Sequence, residues 1–329
     1  RVEIRYAPGH ARYRKRHQQY NAGSRMVKNI EKLSVEEQLE PIREIYPFKS
    51  HCIELQGHHY HYVDEGSGEH AIVMVHGNPT WSFMFRDLIK EFSTRFRVIA
   101  VDHLGCGMSD KTQKHSYRLE DHVDNLESLL LHLKLESITL MVHDWGGAIG
   151  MGFAIRHTRR VKRFVIMNSA AFTFKFMPWR IGLCRIPQIS DYLIRRLNIF
   201  VNAAQFMTTV KPMAPLVKLG YRLPYGNYED RIAILRFVQD IPTGPESPSF
   251  ESLLEIEHGL WNFRGMPIAI VWGMRDWCFN SRFLNEWRER FPAASVLELP
   301  DAGHFLIEDA GTEIKDHLNK FFDNTAHRI

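Results

Sequence analysis

The chain has 329 residues, of which 44% are hydrophobic and 12% aromatic, a composition typical of a globular protein with a sizeable core. Its 42 Lys and Arg residues exceed the 38 Asp and Glu residues by a formal charge of +4. This small excess does not indicate a nucleic-acid partner. Nowhere does an apolar run reach the ~18 residues that a membrane-spanning helix requires. Part of the basic charge lies near the start of the chain, where only Glu3 opposes Arg1, Arg5, Arg12, Arg14, Lys15 and Arg16.

The cysteines and the N-terminal residues bear on the compartment. Cys52, Cys106, Cys184 and Cys278 are widely spaced and form no CxxC pair, which argues against a disulfide framework and against a zinc site. The N-terminal segment lacks the apolar run of a signal peptide. We therefore expect a cytoplasmic protein without a metal ion. Because the chain begins with Arg1 and not with Met, we also expect the true N-terminus to precede it.

Short apolar runs alternate with helical patterns along most of the chain, which is typical of a parallel sheet covered by helices on both faces. The alternating stretch Cys52–Val63 predicts an edge hairpin. Continuous apolar runs predict five buried strands, over Ala71–Val75, Val98–Val101, Ile138–Val142, Phe164–Met167 and Ile268–Trp272. The 3.6-residue period predicts helices over Leu119–Leu133, Gly147–His157 and Glu313–Phe322.

One long interval interrupts this alternation. Between Asn168 and Pro267 no run indicates a buried strand, whereas Ile189–Met207 and Arg231–Val238 are amphipathic. Because loops longer than ~15 residues are uncommon in a compact domain, we predict a helical cap over the carboxyl edge of the sheet. The predicted organisation is a polar N-terminal extension, a core in two pieces and this cap: residues 1–46, residues 47–169 with 266–329, and residues 170–265.

The sequence VHDWGGAIG, at residues 142–150, places Asp144 where a strand should turn sharply into a helix. This arrangement is typical of a nucleophile elbow, here with Asp in place of Ser. Gly146 and Gly147 allow the turn and the close approach of helix to strand. Since a helix N-terminus favours a negative group, we expect Asp144 to stay ionised. A helix-capping Asp is the alternative interpretation of this motif alone.

Two later motifs weaken that alternative. GMRDWCF, at residues 273–279, supplies Asp276 directly after a predicted strand, and DAGHF, at residues 301–305, supplies His304 after the strand-like VLEL. The order nucleophile, acid, histidine is that of the α/β-hydrolases. Because each side chain follows the carboxyl end of a strand, we predict that Asp144, Asp276 and His304 converge as a catalytic triad.

The turn in HGNPTWS, at residues 76–82, offers donors for negative charge. Its backbone can supply one N–H of an oxyanion hole, and the N–H of Trp145 can supply the other. The Asn78 amide and the Trp145 indole are neutral donors that suit a leaving anion. The alternative is a turn Asn and a packing Trp. We interpret Asp102 and the glycines of DHLGCGMSD, at residues 102–110, as structural.

Taken together, HGNPTWS, DHLGCGMSD, HDWGGAIGMG, WGMRDW and DAGHF resemble the haloalkane dehalogenases, from about residue 47 to the end. With NSAAF, YRLPYGNYEDR and FVQDIP the chain looks most like their third subfamily, which includes the β-lactone decarboxylases of long-chain olefin biosynthesis. The resemblance implies an α/β-hydrolase fold, with a mostly parallel eight-stranded sheet, helices on both faces and a helical cap after strand 6. Because Asn168 stands where one branch carries a catalytic Glu, Asp276 must be the acid. The resemblance also implies no cofactor, and a homo-oligomer that the basic N-terminal extension could serve.

We predict a hydrolase of the haloalkane dehalogenase type. Asp144 attacks a saturated carbon of a small apolar alkyl halide and forms an alkyl ester, while the halide ion leaves towards Asn78 and Trp145. His304, held by Asp276, then activates the water that releases the alcohol. The residues expected to line the substrate pocket are those of the Met-bearing cap helices and the aromatic residues Phe172, Phe174, Phe176 and Trp179, although such residues are more often ordinary core.

Three other functions stay open. A β-lactone decarboxylase, which ranks second, would begin with the same attack by Asp144 and would release a cis-alkene and carbon dioxide. An epoxide hydrolase would need acidic hydroxyls from the cap, for which Tyr192, Tyr221, Tyr225 and Tyr228 are candidates. A catalytically dead scaffold ranks last, because such proteins usually lose a member of the triad and none is missing here.

Overall fold

The computed structural model describes residues 33–175 and 177–328, and from Val35 onward the chain forms one compact unit. Eight strands form a single sheet: β1 Ser50–Leu55, β2 His58–Glu65, β3 His70–Val75, β4 Arg97–Val101, β5 Ser137–Asp144, β6 Val161–Ser169, β7 Ile268–Gly273 and β8 Ser295–Leu299. Their order across the sheet is β1-β2-β4-β3-β5-β6-β7-β8. The β1–β2 and β2–β4 pairs are antiparallel and the other pairs are parallel. The fold predicted from the sequence is confirmed.

Helices flank the sheet and fill the interval between β6 and β7. The α-helices are α1 Val35–Leu39, α2 Arg86–Phe92, α3 Leu119–His132, α4 Gly146–Arg156, α5 Trp179–Leu183, α6 Pro187–Ser190, α7 Ile199–Met207, α8 Pro215–Arg222, α9 Ile232–Gln239, α10 Phe250–Gly259, α11 Ser281–Arg290 and α12 Leu306–Asn324. Shorter 3-10 turns cover Glu40–Ile42, Ser82–Phe85, Leu223–Tyr225, Glu229–Arg231, Leu260–Phe263 and Ala326–Arg328, and a π-helical turn covers Asp191–Arg196.

Strand β3 shows why the buried strands have continuous apolar sequences. Its alternate residues pack on opposite sides of the sheet, with Val73 and Val75 in the layer that includes α3 and α4 and with Met74 in the layer that includes α2 and α12. Every residue of β3 is buried. Since both faces are covered, both sets of alternate side chains must be apolar.

The cap holds no strand in the parts that the structure describes. The amphipathic stretch Ile189–Met207 is not one helix, because α6 continues into the π-helical turn and the helical path is then interrupted at Asn198, which has a left-handed φ of 54°. Asn is one of the few residues other than Gly that adopts this conformation readily. A small separate core holds the cap together: Ile181, Ile194, Val201, Tyr225, Ile234, Leu235 and Val238.

The N-terminal boundary differs from the expected one near Tyr46. Leu39, Ile42 and Tyr46 are fully buried in the core layer around α2, and the Tyr46 hydroxyl lies 2.7 Å from that of Ser82. Residues 35–46 therefore belong to the folded unit, and their apolar spacing is helical, a signal that the sequence contained. Residues 1–32, which include the basic side chains of the expected extension, lie outside the described residues.

Across the described ranges, every helix is too short or too polar to cross a membrane.

Candidate active site

Strand β5 ends at Asp144 and α4 begins two residues later, so Asp144 occupies a sharp corner with a φ of 53°. A positive φ is costly for a residue with a Cβ, and such residues cluster at functional sites. Neither Gly146 nor Gly147 has a positive φ, so of their two expected roles the close approach of helix to strand is the one that the structure supports. They are needed because a Cβ would collide with the Val75 carbonyl oxygen at Gly146 and with the Ser169 hydroxyl at Gly147.

The structure brings together the three residues that the motifs indicated. His304 Nδ1 lies 2.7 Å from an oxygen of Asp276, and His304 Nε2 lies 3.6 Å from Asp144 Oδ2. Asp144 ends β5, Asp276 follows β7 and His304 follows β8, and all three are buried. The geometry can hold an imidazole between a carboxylate that orients it and a carboxylate that faces the cavity.

Asn168 is a site residue whose role the sequence analysis missed. Its amide nitrogen donates to Asp276 Oδ2 at 2.8 Å, and its amide oxygen accepts from Gly273 N at 2.7 Å. The same Asp276 oxygen accepts from His304, while Asp276 Oδ1 accepts from the backbone N–H groups of Cys278 and Phe279. Asn168 therefore orients the acid. The available signal was a polar residue at the end of the buried run FVIM.

At this site, burial and nearby charges shift the pKa values of His304 and Asp144 in opposite directions. Burial by itself would lower the pKa of His304, but Asp276 and Asp144 stabilise the imidazolium and raise that pKa overall. Burial raises the pKa of Asp144, and His304 with the backbone N–H groups of Asn78 and Trp145 offsets only part of this effect. The expectation from the sequence that Asp144 stays ionised took account of the helix N-terminus. It omitted the loss of hydrating water when this carboxylate is buried.

Asn78 and Trp145 lie beside Asp144 in the wall of the same cavity. The backbone N–H of Asn78 donates to Asp144 Oδ1 at 2.6 Å, which leaves Asp144 Oδ2 facing His304. The Asn78 side chain donates to the Ile234 carbonyl of α9 at 3.2 Å, and its buried oxygen has no hydrogen-bond partner among the described residues. The Trp145 ring packs against Phe237, also on α9, at 5.4 Å. The cap therefore helps to position both donors.

A cavity of about 320 Å³ reaches Asp144 and His304 from the cap side. Its other walls are mostly apolar and come from core and cap alike: Pro79, Ala148, Ala170, Phe172, Phe174, Met177, Pro178, Ile181, Ile199, Phe200, Ala203, Ala204, Met207, Val238, Ile241, Pro242, Leu253, Trp277, Phe279 and Phe283. Helix α7, one of the Met-bearing cap helices expected to line the pocket, contributes Ile199, Ala203 and Met207, which have the four-residue spacing of one helix face. Such a space suits an alkyl chain.

The aromatic residues expected in this pocket have different outcomes in the structure. Phe172 and Phe174 line the cavity. The prediction for Trp179 is wrong, because its side chain is 68% exposed and lies beside the guanidinium of Arg180, while Ile181 on the same short helix faces the cavity. Phe176 lies outside the described residues.

The cap tyrosines point to other partners. The hydroxyl of Tyr221 donates to Glu308 Oε1 at 2.7 Å, that of Tyr225 to the Thr80 carbonyl at 3.2 Å and that of Tyr228 to the Asp191 carboxylate at 3.0 Å. Tyr192 is exposed, and none of the four lines the cavity. The arrangement therefore does not offer the hydroxyl pair that epoxide opening would need. No cluster of potential metal ligands occurs in residues 33–175 or 177–328.

Comparisons with known proteins agree with this geometry. Residues 70–311 match the family model described as alpha/beta hydrolase fold. A cis-3-alkyl-4-alkyloxetan-2-one decarboxylase of Shewanella oneidensis is 40% identical over 288 residues, which covers 85% of this chain and 90% of the relative. Haloalkane dehalogenase 2 of Mycobacterium tuberculosis is 32% identical over 279 residues, which covers 83% of this chain and 95% of the relative.

A solved structure extends the comparison to the fold. Haloalkane dehalogenase DbeA from Bradyrhizobium elkani superimposes with a TM-score of 0.79 at 23% identity, over 85% of this chain and 99% of that one. The shared fold, the matched family model and the relatives together lead to one conclusion. This chain belongs to the α/β-hydrolase family, in the group that contains the haloalkane dehalogenases and the cis-3-alkyl-4-alkyloxetan-2-one decarboxylases.

Proposed function

We propose that this protein is a β-lactone decarboxylase that converts a cis-dialkyl-oxetanone into a cis-alkene and carbon dioxide. The observation that carries the proposal is the Asp144 carboxylate at the end of an apolar cavity, in a chain 40% identical to a decarboxylase over 288 residues. The dehalogenase, which ranked first on sequence motifs alone, becomes the second candidate because its relative is 32% identical over 279 residues.

In the first step Asp144 Oδ2 attacks the saturated ring carbon that bears the ring oxygen. The bond from this carbon to the ring oxygen breaks, so that an alkyl ester forms on Asp144 and a free carboxylate remains on the neighbouring carbon. The backbone N–H of Asn78 holds the other oxygen of Asp144 during the attack. We assign the released carboxylate to the Asn78 amide and the Trp145 indole, because both residues line the cavity together with Asp144.

In the second step the electron pair of the bond to that carboxylate forms the double bond as carbon dioxide departs. The ester bond to Asp144 breaks at the same time and restores the aspartate, so no water is consumed. The imidazolium of His304, favoured by its raised pKa, stabilises the returning carboxylate. Inversion in the first step followed by anti elimination in the second converts a cis lactone into a cis alkene.

The test is a product assay with two substrates, a cis-dialkyl β-lactone and a bromoalkane of similar length. We expect alkene and carbon dioxide from the lactone, and a loss of ~10⁴-fold or more in the Asp144→Ala variant, because Asp144 supplies the one carboxylate that lines the cavity among the described residues. Bromide release without alkene would reject the decarboxylase and support the dehalogenase. Absence of both products would support a scaffold without activity.

The second candidate is favoured by the two neutral donors beside Asp144, which also suit a halide ion. Turnover in heavy-oxygen water separates the two reactions on the protein itself. Hydrolysis of the ester places the water oxygen in the Asp144 carboxylate, whereas decarboxylation does not. Peptide mass analysis after many turnovers would therefore show a heavier Asp144 peptide only for the dehalogenase.

A further inference from the structure

The outer surface of the cap is unusually apolar. Ten of the thirteen exposed large hydrophobic side chains among the described residues lie between residues 179 and 210. We call this surface the cap face, and its members are Trp179, Leu183, Ile186, Ile189, Tyr192, Leu197, Ile199, Phe206, Met207 and Val210. Exposed apolar patches of this kind are uncommon on monomeric proteins and mark interaction surfaces.

Contacts through Trp277 join the two ends of the cap face. The Arg180 guanidinium lies 5.1 Å from the centre of the Trp179 ring and 5.5 Å from that of Trp277. The Trp277 indole donates to the Met207 carbonyl at 2.8 Å. Helix α5 and the end of α7, which are separated in sequence, therefore meet at one place.

The cavity opens onto the cap face. Arg180, Ile199 and Met207 line the cavity and are also exposed. Asp144 lines the same cavity, so this space connects the cap face with the candidate nucleophile. The entrance is therefore bordered by apolar side chains and one guanidinium.

The cap face carries more cations than carboxylates. Residues 179–210 contain four basic side chains and a single acidic one, Asp191, whereas the whole cap, residues 170–265, contains eleven basic and eight acidic side chains. Asp191 accepts from the Tyr228 hydroxyl and lies 3.5 Å from Arg195, so its charge is partly compensated within the cap. Two cations adjoin the cap face directly, because Arg180 lies beside the Trp179 ring and Lys218 Nζ lies 4.5 Å from the centre of the Phe206 ring.

We propose that the cap face docks on an anionic phospholipid bilayer, with the cavity entrance at the membrane surface. Exposed aromatic and aliphatic side chains with Arg180 and Lys218 beside them match the acyl boundary and the headgroups of such a surface. The docking is peripheral and weakens with salt, because it combines shallow apolar insertion with screened attraction. It delivers an apolar substrate from the lipid phase whether the reaction is decarboxylation or dehalogenation.

Charge argues against two other occupants. A second copy that presented the same face would bring two basic surfaces together, which is repulsive. The first eighteen residues of this chain also carry six basic side chains and one acidic one, Glu3. An anionic lipid surface can accommodate both the apolar side chains and the cations of the cap face.

The test is flotation of the full chain, without substrate, with vesicles of equimolar phosphatidylglycerol and phosphatidylcholine. We expect binding at low salt, little binding to pure phosphatidylcholine vesicles, and a loss of at least about tenfold in the double variant Leu183→Gln with Phe206→Gln. Neither side chain lines the cavity, and both are exposed, so folding and turnover of a short soluble substrate should be unchanged.

The matched control is Trp261→Gln. Trp261 is 63% exposed but lies just before β7, at the opposite edge of the sheet from the cavity, so its loss should leave binding unchanged.

The proposal is wrong if anionic vesicles do not bind, if neutral vesicles bind equally, or if the double variant binds like the parent. It is equally wrong if neutralising Arg12, Arg14, Lys15 and Arg16 abolishes binding while the double variant retains it. Sedimentation showing a dimer that the double variant disrupts would assign the cap face to a second copy.

Discussion

His304 lies between two carboxylates, and its protonation decides which chemistry the site favours. Neutral imidazole is needed to accept a proton from water, whereas imidazolium stabilises a carboxylate that leaves an ester. Asp276 and Asp144 raise the pKa of His304 above 6.5, and burial raises that of Asp144 above 3.8. The imidazolium of His304 and the ionised Asp144 therefore coexist between two pH limits. These limits are properties of the coupled Asp144–His304 pair and not of either residue alone.

We expect alkene formation to follow a bell-shaped pH profile. Activity falls at low pH because Asp144 becomes protonated, and it falls at high pH because His304 loses its proton above a raised pKa. The measurement is kcat/KM for a β-lactone across the pH range, since this ratio reports the groups of the free enzyme. In Asp276→Asn the upper limb should move to lower pH, because a carboxylate that stabilises the imidazolium is removed. An upper limb that ends at or below 6.5 in the parent would contradict this assignment.

At the scale of one element, the turn from β5 to α4 depends on close backbone approach. A Cβ on Gly146 would strike the Val75 carbonyl, which belongs to the neighbouring strand β3 and cannot rotate away. We expect Gly146→Ala to lower the free energy of unfolding by ~1–3 kcal/mol, as overpacking in a core usually does. Urea unfolding measures this change, and activity should fall as well, because Asp144 is displaced.

Gly311→Ala is the matched control for that substitution. Gly311 lies in α12, where an added Cβ would meet no atom within 4 Å. Alanine should therefore be neutral or stabilise by up to ~1 kcal/mol, because it restricts the unfolded chain. Equal destabilisation by both substitutions would show that the loss at Gly146 reflects general helix sensitivity and not the contact with Val75.

At the scale of the whole molecule, Glu308 links the core to the cap. Arg86 of α2 donates to its two carboxylate oxygens at 2.6 and 2.7 Å, and Tyr221 of α8 donates to Oε1 at 2.7 Å. Burial opposes the charge on Arg86, but the hydrogen bonds to Glu308 raise its pKa overall. The charge on Arg86 is therefore retained in a largely buried site, where it depends on its contact with the Glu308 carboxylate.

We expect Arg86→Met to destabilise the protein by ~3–5 kcal/mol, because it leaves the Glu308 carboxylate buried without its counter-charge. Tyr221→Phe, which removes one hydrogen bond, should cost ~1–2 kcal/mol. Urea unfolding of both variants and of the double variant measures how strongly the two contacts are coupled.

The matched control is Arg288→Met, whose partner Glu298 is exposed, and its cost should stay below ~1 kcal/mol. A comparable loss in Arg86→Met and Arg288→Met would contradict the role of burial.

The sequence by itself determined the sheet and the order of the candidate catalytic residues. Strands buried on both faces must be continuously apolar, so runs such as Phe164–Met167 could be recognised locally. Asp144, Asp276 and His304 each follow such a run, and parallel strands place their carboxyl ends at one edge. The identity and spacing of these residues were therefore sufficient to predict that they meet.

Only the tertiary structure decided how the surroundings act on that site. Asn168 donates to Asp276, more than a hundred positions away in the sequence, and the raised pKa of Asp144 follows from its burial. Trp179 faces outward, while nearby Ile181 faces the cavity. These features depend on which side chains stay exposed, and which become buried, once the helices have packed together. Local sequence specifies periodicity, whereas burial and long-range hydrogen bonds follow from the assembled fold.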